Sequence, residues 1–262
     1  MKKIKEFARF IWKLAKNDFT TKYSANYFGV FWAFVQPIVT IAIYIFVFQV
    51  GFRARDAQNG YPYALWLIAG IVPWFFFGEG MIGATNAFAE YSYLVKKVVF
   101  RIDVLPLVKV LSSLFVHLFF VGFSLFIFFL NGKAPDLRFL QIIYYMFCLI
   151  CLMAVLSYFT ASIVPFFKDF SQIVNVVIQI GMWLTPIMWN YEELSPSLGK
   201  WGLLFKLNPM FYIVQGYRDS FMKGYLFWTR SMSLYFWGVV LILGFVGYRC
   251  FKRMKPHFAD VI

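Results

Sequence analysis

The sequence predicts an all-α integral membrane protein with six transmembrane helices. An N-terminal amphipathic helix lies at the interface, and two short re-entrant helices sit between spans five and six. Three observations carry this. Only 14% of the 262 residues are charged and 61% are hydrophobic, whereas a soluble domain carries about 25% charged residues. Apolar runs recur near 29–50, 62–87, 104–130, 138–164, 171–190 and 231–250, and about 20 apolar residues cross the hydrocarbon core as a helix. Lysines and arginines fall between the runs rather than along one face, the topology signature of a membrane chain and not the footprint of a nucleic-acid binder.

The single membrane domain spans 1–262. Its first segment, 1–28, places Ile4, Phe7, Ile11 and Leu14 at helical spacing with Lys3, Lys5, Arg9, Lys13 and Lys16 on the other side, a basic amphipathic helix lying on the inner leaflet. No cleavable signal peptide is expected, because the first apolar run is a full span with no small-residue cleavage site behind it. Segments 1–28, 88–103, 165–170 and the tail are rich in Lys and Arg. The two short loops on the other side hold only Arg53, Arg55, Lys133 and Arg138. Both termini are therefore expected in the cytoplasm.

Span one carries Trp32, Gln36, Thr40, Tyr44 and Phe48 at steps of four, and span five repeats the pattern with Gln172, Asn175, Gln179, Trp183 and Pro186. Two readings stand side by side. Such residues glue membrane helices together through hydrogen bonds, or they line a wet path of hydroxyls, amides and ring faces suited to sugars. Ile41 and Ile178 are expected to face lipid. Charges inside spans are suspect by default. Glu79 in span two and Lys109 in span three stand at similar depth and are expected to neutralise each other. His117, mid-span, reads as a packing residue.

The segment 90–106, "EYSYLVKKVVFRIDVLP", is basic and amphipathic and predicts a short helix ending before Pro106, since the residue before proline avoids helical angles. In 191–230 the stretch "KWGLLFKLNPMFYIVQGYRD" offers two pieces of about two turns, Trp201–Leu207 and Met210–Tyr217, split by Asn208-Pro209. Two turns cover about 10 Å, too little to cross, so a hairpin dipping into the outer leaflet is expected. Cys148, Cys151 and Cys250 all lie in spans and read as packing residues.

No phosphate loop is present: neither "NGKA" nor "LGKW" has the flanking glycine and hydroxyl that cradling a phosphate needs. The two histidines, His117 and His257, have no carboxylate cluster at metal-ligand spacing, so neither a metal nor a catalytic triad is expected. The chain reads as a transport protein rather than an enzyme.

At this point the motifs resemble a family. "YSANYFGVFWAFVQPIVTIAIYIFVF" (23–48) is similar to the first span of ABC-2-type permeases that export polysaccharides. "LIAGIVPWFFF" (67–77), "NAFAEYSYLVKKVVFRIDVLPL" (86–107), "PFFKDFSQIVNVV" (165–177), "LTPIMW" (184–189) and "LNPMFYIVQGYRD" (207–219) follow in the family's order. Many members read Phe-Pro-Arg where this chain has Phe100-Arg101-Ile102. The resemblance implies a half-transporter that pairs with a second copy, with two cytoplasmic ABC ATPase subunits docking beneath. Those partners would bind ATP and magnesium; this chain would hold no cofactor.

By the same resemblance, Trp32, Gln36, Thr40, Tyr44, Asn175, Gln179 and Trp183 line the substrate path. Asn208, Pro209, Tyr212 and Arg218 belong to gate helices in 191–230. Tyr93, Lys96, Lys97 and Arg101 in the 88–103 loop couple to the ATPase. The implied cargo is a lipid-linked glycopolymer (O-antigen, capsular polysaccharide or teichoic acid) moved across a bacterial cytoplasmic membrane. "GFRARDAQNGYPYALWLIAG" (51–70) is similar to the teichoic-acid branch. The alternatives are an ABC-2-type exporter of a drug or small lipid and, further off, a proton-coupled carrier. The carrier would need an internal repeat that spans 1–3 and 4–6 do not display.

Overall fold

The structure is a computed structural model that describes residues 2–24, 27–52, 60–95, 101–134, 136–229 and 231–258. Among these the architecture is helical throughout, without strands. Five helices among the described residues are long and apolar enough to cross a membrane: Gly29–Gly51, Tyr63–Thr85, Ile102–Leu130, Leu137–Ile163 and Met232–His257.

The chain opens with α1 (Lys2–Ser24), whose Ile11 and Ala15 are buried against Val104 and Val108. A short 3₁₀ turn leads into α2 (Trp32–Ile45), which runs on as a wider turn over Phe46–Gly51. Pro37 lies inside α2 and has no N–H to offer the Ala33 carbonyl four residues back. Next comes α3 (Tyr63–Thr85), the central post. In its most apolar stretch 78% of residues are buried, against 11% in Gly29–Gly51. A helix apolar all round belongs inside the protein, and α3 is packed by α6 (Leu105–Leu130), α7 (Ile142–Ile163) and α11 (Pro209–Phe221).

Between α3 and α6 lie α4 (Ala87–Glu90), α5 (Ser92–Val95) and a 3₁₀ turn over Ile102–Val104; residues 96–100 of the expected helix in 90–106 lie outside the described residues. Pro106 does not follow a helix but sits in the first turn of α6, where its missing N–H would have had no partner anyway.

Within the expected fifth span, 171–190, the helix is shorter than the apolar run. The helix α8 covers only Phe170–Leu184, about 22 Å at 1.5 Å per residue. Thr185 is extended because Pro186 follows it. Beyond it come α9 (Tyr191–Leu198), begun by the Asn190 side chain accepting from the Glu192 amide, and α10 (Gly202–Leu207). The Asn208 side-chain oxygen Oδ1 then caps α11 by accepting from the Met210 amide, 2.9 Å away, with Pro209 in the first turn. The second half of the expected hairpin is thus longer than two turns. It continues through Arg218 and Asp219 to Phe221, and nearly every residue of it is buried. Tyr145 lies so close that any Cβ at Gly216 would come within 2.1 Å of its ring. Last comes α12 (Met232–Met254), which packs along α7.

One end of the molecule gathers α1, α4 and the close of α12, where Phe88, Phe251 and Phe258 form a cluster. The opposite end gathers Tyr63, the Thr185–Met188 turn, Arg138 and the Lys223–Tyr225 loop.

Candidate functional site

Three features stand along the axis between those ends. The lowest is a charge network at the terminal end. Lys109 reaches Asp18 of α1 at 2.7 Å and also pairs with Glu90 of α4. Tyr91 donates its hydroxyl to the same Asp18. Burial, and then the Asp18 acceptor, pushes that hydroxyl well above the ordinary tyrosine range, so it remains a donor. Glu79 is held from α1 as well, by Lys22 at 2.7 Å and by the Tyr23 hydroxyl at 3.0 Å.

The expected Glu79–Lys109 pair is therefore corrected. The two side chains border one small cavity of about 320 Å³, and α1 supplies each with its own counter-charge. Span-by-span reasoning could not see this, because the partners come from a helix outside the spans. A signal did exist: Asp18 and Lys22 are four apart and share a face of α1.

The second feature is a cavity of about 650 Å³ framed by α1, α2, α3 and α8. Trp32, Gln36 and Thr40 border it from α2, Trp74 and Phe75 from α3, and Met182 from α8, with Glu79 and Lys22 at its base. Its walls combine indole faces, one amide, the hydroxyls of Tyr23 and Thr40, and a neutralised carboxylate. Such a mixture can stack on and hydrogen-bond a polar, ring-containing guest without binding a bare ion. Gly78 and Gly181 keep the α3–α8 contact tight: a Cβ at Gly181 would lie 3.0 Å from the Trp74 ring.

The two predicted stripes do not share this cavity. Tyr44 lies higher on α2 and packs on the core. On α8, Asn175 donates to Gln172 of its own helix at 3.3 Å, Gln179 is exposed, and Trp183 is exposed with its carbonyl accepting from the Trp189 indole. Within one chain the stripes form separate faces. Ile41, expected to face lipid, is buried, and Ile178 is half-buried against Gly78. The true outward positions of α2 include Val39 and Ile43.

The third feature is a clamp at the opposite end. Arg218 is buried, and its guanidinium stacks 3.4 Å from the centre of the Trp66 ring. Its nitrogens donate to the Pro186 carbonyl at 2.7 Å, the Ile187 carbonyl at 2.8 Å and Gln215 Oε1 at 3.1 Å. The Tyr63 hydroxyl donates to the Met188 carbonyl at 2.8 Å, and the Asn208 amide donates to Thr185 Oγ1 at 2.8 Å. The carbonyls that α8 leaves open as it breaks are thus answered by side chains from α3 and α11. Backbone that leaves a helix deep in a membrane protein needs such partners. Asn208, Pro209 and Arg218 hold a turn in place. Tyr212, also buried, shares its hydroxyl with Tyr144 at 3.1 Å and Ser233 at 3.2 Å. Sequence reading placed these residues together but missed Trp66, Tyr63 and Gly70, which complete the clamp.

Of the loop residues, Tyr93 is exposed beside the charge network, and Arg101 lies over the Phe7 ring of α1 at 4.8 Å. Lys96 and Lys97 lie outside the described residues. Among the described residues no group of His, Cys, Asp and Glu is arranged to hold a metal.

A profile of the ABC-2 type transporter family matches residues 9–222. The chain is also similar along nearly its whole length to proteins named O-antigen export system permease protein RfbA. One from Klebsiella pneumoniae is 26% identical over 254 residues, covering 95% of this chain and 93% of that protein. One from Myxococcus xanthus is 23% identical over 250 residues, covering 95% and 94%.

Proposed function

Because the chain belongs to the ABC-2 type transporter family, we propose that it is the membrane permease subunit of an ATP-driven exporter whose cargo is a lipid-linked, sugar-rich polymer, O-antigen before capsule or teichoic acid. The observation that carries this reading is the end-to-end similarity to permeases named for O-antigen export. The aromatic and amide-lined cavity on α2 and α3 supports it. The reading places ATP hydrolysis on a separate subunit, and the sequence given offers no phosphate loop for it.

In this reading the chain crosses the bacterial cytoplasmic membrane six times with both termini inside. The fifth crossing is made by α8 together with the Thr185–Asn190 segment that the Arg218 clamp supports. The helices α10 and α11 form the outer re-entrant pair. Two copies associate through α2 and α8, whose outward faces carry the polar stripes, so that Asn175, Gln179 and Trp183 complete a path begun by Trp32, Gln36 and Thr40. An ATPase subunit engages the segment around Tyr93, Lys96, Lys97 and Arg101. Its stroke reaches Glu79 at the cavity base through Glu90, Lys109, Asp18 and α1.

Deleting the gene in its host should remove the polymer from the cell surface and leave its lipid-linked form inside. Normal surface polymer combined with altered sensitivity to small amphiphiles would favour a drug or small-lipid exporter instead.

A further inference from the structure

A groove of about 1050 Å³ lies at the base of α12, away from the cavity and the charge network. Among the described residues its lining includes Arg249, Lys252, Arg253 and His257 and no carboxylate. Lys22, Lys109 and Lys255 at the same end each have an acidic partner, which the groove's lining does not provide. Positions 245, 249, 252 and 253 share one face of the helix. The Arg249 guanidinium folds back over the exposed Phe245 ring at 4.9 Å. Above them Leu241, Ile242 and Tyr248 are also exposed, so an apolar wall runs straight into a cationic floor.

The floor is held in shape. The chain turns back over Lys255–His257, Phe258 is buried against Phe88, and Lys255 is tied to Asp103. Positive-inside topology explains basic residues here but not their convergence on a groove with an apolar wall. Basic pockets at the cytoplasmic ends of spans bind acidic headgroups.

We propose that this groove binds an anionic phospholipid of the surrounding bilayer, its headgroup phosphate held by Arg249, Lys252 and Arg253 and its acyl chains lying along Phe245 and Leu241. The assignment rests on the proposed topology, which puts this end at the inner leaflet, and not on the nature of the cargo.

The test uses the purified full chain, without any ATPase, titrated with dioleoyl-phosphatidylglycerol and followed by native mass spectrometry. Each basic side chain at an anionic lipid is worth about a five-fold change in affinity, so Arg249→Gln with Arg253→Gln should raise the Kd about 25-fold. Phe245→Ala should weaken binding while leaving both arginines in place. Lys133→Gln with Lys200→Gln, which removes two charges elsewhere, should leave the Kd unchanged.

Equal loss in that control, or equal binding of phosphatidylcholine, would overturn the proposal. So would displacement of the lipid by millimolar inorganic pyrophosphate, which would mean a soluble-anion site. Unchanged lipid binding in the arginine variant would overturn it as well, and loss of ATPase-subunit binding by that variant in a separate pull-down would make the groove a protein-docking surface. Because no transport is measured, failure here leaves the polymer reading standing, and a wrong cargo leaves this result readable.

Discussion

Gly70→Ala should disable the Arg218 clamp without substituting any charged residue. A methyl at Gly70 would lie 2.7 Å from Arg218 Nη2 and 3.1 Å from Cζ. The guanidinium cannot yield freely, because it is fixed by the Pro186 and Ile187 carbonyls and by the Trp66 ring. Overpacking of this kind costs about 1–3 kcal/mol. Arg218→Met removes the donors outright. Two buried carbonyls lose their partners at about 1–3 kcal/mol each, and the ring contact adds about 2 kcal/mol. Relief from burying a cation offsets part of this, which leaves a net loss of about 3–5 kcal/mol. In the Arg218→Met background the methyl no longer meets a fixed guanidinium, so Gly70→Ala should cost at least about 1 kcal/mol less than it does alone. Unfolding of the purified protein in mixed micelles, followed through tryptophan fluorescence, measures all three variants. Wild-type stability in Gly70→Ala, or strictly additive losses in the double variant, would refute the clamp.

Lys109→Met strands Asp18, which is only 5% exposed, and should cost about 3–5 kcal/mol. Adding Asp18→Asn should recover part of that loss, as read by the same unfolding assay. Glu79→Gln breaks a pair whose lysine is 44% exposed and should cost under about 1 kcal/mol; combined with Lys109→Met it should be additive, because the two residues have separate partners. Cysteines replacing Gln36 and Thr40 should react with a membrane-impermeant thiol reagent, whereas cysteine at buried Ile41 or at outward Val39 should not; the reverse pattern would assign α2's stripe to helix packing.

The helical class and five of the crossings were legible because apolar runs of span length leave a helix few alternatives in lipid. The α8 boundary was not, since Ile187, Met188 and Trp189 prolong the apolar run past the point where Thr185-Pro186 stops the helix. The α11 extension was missed because Arg218 and Asp219 look like solvent residues until Trp66 and the broken end of α8 supply a buried home for the cation. For Glu79 and Lys109 depth alone suggested a pair. Each finds a partner on α1, and Lys109 a second in Glu90; the docking of α1 against α6 rests on Ile11 and Ala15 meeting Val104 and Val108, a contact no periodicity along a single helix reveals.

Reconstitution decides whether the chain is the conduit for a lipid-linked polymer. The permease and its partner ATPase would be placed in proteoliposomes loaded with fluorescent lipid-linked O-antigen, and the polymer reaching the opposite leaflet would be measured by its susceptibility to an added glycosidase. Transfer should require ATP and both proteins, and should fall sharply in Trp32→Ala while that variant keeps its fold and its ATPase partner. ATP-dependent movement of a small amphiphile with no transfer of polymer would contradict it.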